Sequence, residues 1–367
     1  MASVRFQRAS ALCYRLFDIG EGIDLEQARK LLTAGQRLTL QREGSEYIQL
    51  SNPPLTVAIG TRPLVLKAGA TSADVSVRVF DHGALSVIVR LPLPADLTCE
   101  QLIPVVDELY DSPAIDALAQ DQVRELRATL ERSIELPHLW EKYESYTVLS
   151  VPALDGGAGP QALLDDPALP RLLLGETKER ELSAAERADV LAHHFRYGEH
   201  DLVIIDWNAA LVLEPSGSSD LPDLLEIANA HLLELRYYDD VLDRELNRVY
   251  DEIGRRKGSS LFRSPWKGLL RELMLTLIEL SEFIERVENS LRIVGDVYLA
   301  RVYEAALTQL RVDRWQGQVT RKQRLLEKTY ELLKGEVDTD RALTLEVMVV
   351  VLIILELAVA VIGFWPH

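Results

Sequence analysis

The chain has 367 residues, enough for two or three structural units, and its 47% hydrophobic content leaves room for one membrane span but not for many. Its net charge is −17, and residues 1–220 carry 33 acids against 20 bases, which argues against binding nucleic acid or anionic lipid over the whole surface. The two cysteines, Cys13 and Cys99, have no framework or metal-ligand spacing and fit buried thiols in a reducing compartment.

Residues 1–215 read as an α+β head. The opening VRFQRASALCYRLF has period-2 character and no apolar signal-peptide core, so it is read as a strand. Asp24 precedes LEQARKLLTA with Gln27 three positions on, a capping-box spacing that predicts a short helix. LTLQREGSEYIQL reads as a hairpin broken near its glycine, and LTVAIG and PLVLKA follow as strands. The clearest hairpin is VSVRVFDHGALSVIVRLPL, turning at Asp81-His82-Gly83, where Gly83 suits a positive φ. Two helical stretches, CEQLIPVVDELY and DALAQDQVRELRATLERSIE, flank Asp111-Ser112-Pro113. YTVLSVPAL returns to strand, SAAERADVLAHHF reads as a helix capped by Ser183, and LVIIDWNAALVLEP reads as a hairpin around Asp206-Trp207-Asn208.

Residues 216–220, SGSSD, read as a linker, and residues 221–341 as a helical hairpin or stalk. From Leu225 to Ile253 apolar residues recur at 3-4 spacing, broken only by Asp239. A second stripe runs from Leu270 to Tyr298 without a break, and a third, in a new phase, takes Val312, Trp315, Val319, Lys322, Leu326, Thr329 and Leu333. Such spacing is that of a coiled-coil-like seam. The simplest packing is an antiparallel hairpin whose second arm is continuous from Trp266 to Lys334. A compact helical bundle carries the same stripes. The turn between the arms is basic, with Arg255, Arg256, Lys257, Arg263 and Lys267, and is the one place where RNA, lipid headgroups or an acidic partner would be drawn.

Residues 342–367 read as a C-terminal transmembrane anchor after a short turn at Gly335–Asp340. Between Val347 and Trp365 only Glu356 is polar, and ~20 apolar residues cross a bilayer as a helix. The bases ahead of this segment, Arg314, Arg321, Lys322, Arg324, Lys328, Lys334 and Arg341, keep the body on the cytoplasmic side. Glu346 and Glu356 lie about 80° apart around a helix. An acid at mid-span costs about 2–3 kcal/mol to insert and calls for protein or water beside it.

No catalytic motif emerges, so the chain is read as a non-enzyme without cofactor. Gly156-Gly157-Ala158-Gly159-Pro160 lacks the Gly-Lys-Ser/Thr of a phosphate loop. His193, His194, His200, Asp201 and Asp206 are better explained as structural or surface groups than as metal ligands.

Three stretches carry a family pattern: LLEIANAHLLELRYYDDVLDRELNRVYDEI, GDVYLARVYEAALTQLRVDRWQGQVTRKQRLLEKTYELL, and the R-x(4)-E-x(9)-E spacing of Arg341, Glu346 and Glu356. Over residues 224–365 the chain resembles the required-for-meiotic-nuclear-division, or YagE-like, family; over the head the resemblance is looser. Its motif residues here are Arg236, Tyr237, Tyr238, Asp239, Trp315, Glu346 and Glu356. The resemblance implies a membrane-associated, non-catalytic protein. In mitochondrial relatives it implies support of translation at the inner membrane. The excess of arginine over lysine points instead to a bacterial inner membrane, with the mitochondrial one as the alternative. The expected function is a tail-anchored scaffold or tether, self-associating through its stalk and span. The alternative is an oligomeric ion conduit, similar in outline to CorA-type magnesium channels, with Glu356 in or near the pore; it lacks their second span and Gly-Met-Asn signature.

Overall fold

The computed structural model describes residues 4–34, 39–41, 52–67, 69–177, 182–255, 266–290 and 296–363. Up to the first long hairpin the elements are β1 (Arg5–Asp18), β2 (Gly22–Ile23), α1 (Leu25–Ala34), β3 (Thr39–Gln41), β4 (Leu55–Leu66), β5 (Gly69–Val79) and β6 (Ala84–Pro92). There follow β7 (Leu97–Thr98), α2 (Cys99–Tyr110), α3 (Pro113–Leu130), β8 (Ile134–Glu135), β9 (Glu144–Leu154), α4 (Pro160–Leu164), α5 (Leu169–Leu174) and α6 (Ala184–Val190). The last strands are β10 (His194–Phe195), β11 (Leu202–Ile205) and β12 (Ala209–Leu213), and the closing helices are α7 (Asp220–Arg255), α8 (Lys267–Ser290), α9 (Val297–Gln309) and α10 (Val312–Gly363). The fold is mixed α+β: a β-rich head, then helices, ending in one long apolar helix. Two compact units divide it, residues 1–237 with 289–315 and residues 238–288 with 316–367.

In the first unit one sheet runs in the order β10-β11-β12-β9-β1-β6-β5-β4-β3, with β7 on the free stretch of β1. All neighbours are antiparallel except β12 and β9. β1 sits at the centre and is buried on both faces, so its second half is a continuous apolar run with little alternation. Ala11, Cys13 and Phe17 share a core with Leu102, Ile103 and Val106 of α2 and Ile115, Ala119 and Val123 of α3. On the β5 strand Arg78 is buried and bonds both Asp223 (2.7 Å) and Glu226 (2.5 Å) of α7. Each buried charge thus has a partner, which burial demands. Burial still pushes the Glu226 carboxyl up to about 7, against the pull of Arg78.

The sequence signals for local structure recur here. Asp24 Oδ1 accepts from the Gln27 amide (3.0 Å), and Ser183 Oγ from the Glu186 amide (3.1 Å). β5 and β6 form the expected hairpin, and Gly83 has φ +99°. A Cβ there would lie 1.7 Å from the Gly20 carbonyl oxygen, so only glycine fits. LTVAIG and PLVLKA are one strand, bulged at Gly60. Its Pro63 falls beyond the residues that pair with β3, so its missing N–H breaks no ladder on that side. β11 and β12 pair around Asp206-Trp207-Asn208 as expected. The helix capped by Ser183 is shorter than its periodicity suggests: it stops at Val190 because His194 and Phe195 pair with β11. The hairpin read into residues 38–50 retains only β3, the remainder lying outside the described residues.

The long second arm is corrected. It is not continuous from Trp266 to Lys334. α8 ends at Ser290, and Asp296 caps α9 by accepting from the amides of Tyr298 (2.8 Å) and Leu299 (3.0 Å). Arg311, at φ +55°, then separates α9 from α10. The first break lies inside the Leu270–Tyr298 stripe and leaves its 3-4 spacing intact, so periodicity ran across it; the second falls in the gap between that stripe and the third. The opposite error concerns Gly335–Asp340, expected as a turn. α10 passes through it as helix, with Val337 buried in the second unit. One glycine costs about 1 kcal/mol, less than burial of a valine returns.

In the second unit the seam residues Leu242, Leu246 and Val249 of α7, Leu273 and Leu280 of α8, and Val319, Leu326 and Leu333 of α10 are buried; at the start of α8 Leu269 is buried in place of Leu270, which is half-buried. The two charged interruptions of the stripes answer one another. Lys322 Nζ lies 2.7 Å from Asp239 and 2.7 Å from Asp243. A single polar pair in an apolar seam fixes register.

Candidate functional site

The first unit holds a cleft of about 690 Å3, within the size range of ligand pockets, ~300–1,000 Å3. Four pieces of chain build it. Glu144 opens β9 opposite Leu16 of β1. Arg236 projects from α7 and pairs with Glu144 Oε1. Trp315 sits one turn into α10 and takes the Arg236 guanidinium over its ring, 5.5 Å from the centroid. The left-handed backbone of Arg311 makes the sharp α9–α10 corner that brings Trp315 there. The fourth piece is the β11–β12 turn. The Tyr146 hydroxyl donates to the carbonyls of Asp206 (3.0 Å) and Ala209 (2.9 Å), and the Thr147 amide donates to the Asn208 carbonyl (3.2 Å). These bonds hold Trp207 and Asn208 in the cleft wall.

The electrostatics are mixed. Glu144 is 6% exposed, and burial pushes its carboxyl up to about 7, while Arg236 pulls it down. Asp107 and Asp111 at the end of α2 add acid, and Arg311 adds a second base. Asn208 Oδ1 is buried and, among the described residues, has no hydrogen-bond partner. Trp207 is 63% exposed.

Of the sequence-derived residues, the structure brings Arg236 and Trp315 together. Tyr237 turns away, stacking on His138 (4.6 Å) and donating to Glu21 (3.2 Å). His138 in turn meets the buried Asp18 at 2.5 Å, and burial raises that carboxyl despite the imidazole. Tyr238 is buried, and Asp239 belongs to the Lys322 pair of the second unit. Glu346 and Glu356 lie on exposed turns of α10. In the basic turn Arg255 closes α7 and Lys267 opens α8; Arg256, Lys257 and Arg263 lie outside the described residues. His200 and Asp201 line an acidic depression of about 460 Å3 with Glu214, Asp220 and Asp296. Among the described residues no three His, Cys, Asp or Glu side chains are grouped to hold a metal. Glu144 and the Trp207-Asn208 pair were not singled out from sequence as site residues. The only hint was the polar, aromatic tip of the second hairpin.

A family described as "Uncharacterized protein MJ0711, N-terminal domain" matches residues 8–220, more than half the chain. The chain belongs to this MJ0711 N-terminal domain family. Within the curated proteins it is similar to the uncharacterized protein MJ0711 of Methanocaldococcus jannaschii, at 27% identity over 173 residues. That alignment covers 47% of this chain and 52% of the relative, so the chain spans about half the length of the curated relative it matches. No solved structure matches. The family segment contains Glu144, Trp207 and Asn208, whereas Arg236 and Trp315 lie beyond it.

Proposed function

We propose that the protein is a non-enzymatic membrane-held scaffold or tether, with α10 as its anchor and the head on the cytoplasmic side. The observation that carries this reading is the end of α10. An 18-residue window there has mean hydropathy 2.6, and none of it is buried in the chain. From Leu345 to Val359 every residue is exposed. A core helix of a soluble fold would hide such a face, so the exposed apolar surface calls for lipid or protein around it. The six bases from Arg321 to Arg341 favour retention of the head on the cytoplasmic face. Membership of the wider required-for-meiotic-nuclear-division, YagE-like group is part of this proposal, as is self-association. Apolar side chains left exposed on the second unit, Met274, Leu275, Ile278 and Leu332, support a contact surface there.

Deleting residues 342–367 tests the anchor. The truncated chain is expected in the soluble fraction while the full chain sediments with membranes. A truncated chain that is folded and still sediments overturns it. A second reading, an oligomeric conduit, is favoured by Glu356, which lies exposed in a shallow apolar depression with Leu352, Leu355 and Val359. Cation flux through liposomes holding the full chain, abolished by Glu356→Gln, would decide for it; sealed liposomes decide against it.

A further inference from the structure

The head cleft does not enter the membrane reading and has a chemistry of its own. Its contents are unusual for a mere surface hollow. A carboxyl, Glu144, and a guanidinium, Arg236, lie side by side, so an acceptor and a donor adjoin in the cleft lining. An amide oxygen, Asn208 Oδ1, is buried with nothing to accept from among the described residues. Buried polar atoms are almost always satisfied, and this oxygen is an acceptor that a ligand N–H in the cleft can meet. The cleft rim carries Trp207, whose ring is 63% exposed on a turn pinned from behind by Tyr146. Exposed indoles held in place serve as stacking plates for planar rings.

The charges restrict the ligand further. Three carboxyls, Asp107, Asp111 and Glu144, face two guanidiniums, Arg236 and Arg311. That balance, three carboxyls to two guanidiniums, gives no net pull on a phosphate or a carboxylate, while the guanidinium N–H groups of Arg236 beyond the one on Glu144 can still donate to a neutral acceptor. A neutral planar heterocycle is the better match. Its edge must offer adjacent N–H donors to a carboxylate and a carbonyl to a guanidinium. Guanine has this edge: an amino group and a ring N–H beside a carbonyl oxygen. Adenine and uracil do not offer two adjacent donors.

We infer that the cleft between Glu144, Arg236, Trp207 and Asn208 binds a guanine-type base, as the free base or nucleoside. Glu144 accepts from the two base donors, Arg236 donates to the carbonyl, Asn208 takes a further donor, and Trp207 covers the ring. This is independent of whether α10 enters a bilayer.

The test is calorimetric titration of the detergent-solubilised full chain with guanosine, adenosine, uridine, guanosine monophosphate and a quaternary ammonium salt, above the Glu144 pKa of about 7 so that its carboxyl is ionised. Guanosine is expected to bind, at least about fivefold more tightly than adenosine or uridine, because leaving a buried donor or acceptor unmade costs ~1–3 kcal/mol, a factor of roughly 5 to 150. Guanosine monophosphate is expected to bind no more tightly than guanosine. Trp207→Ala removes an exposed ring and leaves the fold intact by circular dichroism. It is expected to weaken guanosine binding roughly 5- to 150-fold, the loss of one base stack. Glu144→Gln replaces an acceptor with a donor and is expected to erase the preference for guanosine. No guanosine binding, equal binding of all three nucleosides, a clear preference for the phosphate, or binding of the ammonium salt alone would each overturn the proposal.

Discussion

Replacing Lys322 by leucine tests the idea that two polar residues set the register of the second unit. The lysine ammonium is 2.7 Å from Asp239 and 2.7 Å from Asp243, whose side chains are 16% and 54% exposed. Lys322→Leu strips the cation from both, but only Asp239 is too enclosed for water to replace it. A hydrogen bond to a charged group is worth about 1.5–3 kcal/mol, and that is the expected loss. Asp239→Leu is milder, within about 1 kcal/mol, because Lys322 keeps Asp243 and the new leucine joins the seam. The double variant puts apolar side chains at both positions and is expected to match or exceed the parent, as buried ion pairs replaced by packed residues often do. The coupling in the cycle is then about 2 kcal/mol. Hydrogen exchange over residues 238–255 and 316–334 of the full chain reads the local opening free energy directly. Equal losses from the two single variants that simply add would refute the reasoning.

Other perturbations follow from buried groups in the head. Arg78→Met leaves Glu226, which is 0% exposed, without its cation and is expected to cost about 3–5 kcal/mol in a denaturant melt, whereas Arg78→Met with Glu226→Gln recovers much of it. Gly83→Ala forces a Cβ into the Gly20 carbonyl and is expected to cost more than about 2 kcal/mol, while Gly60→Ala, with a similar positive φ but open space, costs less. Glu144 keeps its proton in the fold up to about 7, whereas the unfolded chain releases it near 4.5. The folded state therefore binds more protons across that window. Its stability is greatest below the window and falls as pH climbs through it, by at most about 3 kcal/mol. Glu144→Gln is expected to remove this share of the pH dependence; melts of parent and variant that stay parallel across the window would contradict it.

Local rules carried the sequence reading as far as single elements. Asp24 with Gln27, Ser183 with Glu186, and Asp81-His82-Gly83 each place a specific side chain or backbone angle at a specific position, and the structure keeps all three. The helical region failed differently. An apolar stripe reports which face is buried, not whether the backbone is continuous, so the cap at Asp296 was invisible in it, while the corner at Arg311 fell in the gap between two stripes, where the pattern changes phase. The same stripes did contain a tertiary clue. Asp239 and Lys322 each interrupt one, and the two meet. The cleft was the least legible part. Glu144, Trp207, Arg236 and Trp315 come from four elements, and no local spacing relates them. Only the resemblance pointed to Arg236 and Trp315, without saying that they touch.

The membrane role of α10 is the claim on which the account turns, and the depth of one side chain tests it. Cys13 and Cys99 are buried, so Val351→Cys gives a single exposed thiol for a spin label in the full chain reconstituted into liposomes. In a bilayer-held α10 this label is shielded from a water-soluble relaxant and open to dissolved oxygen, while a label at Leu325→Cys, on the same helix in the second unit, shows the reverse. A label at Val351→Cys as open to the aqueous relaxant as the one at Leu325→Cys would contradict it.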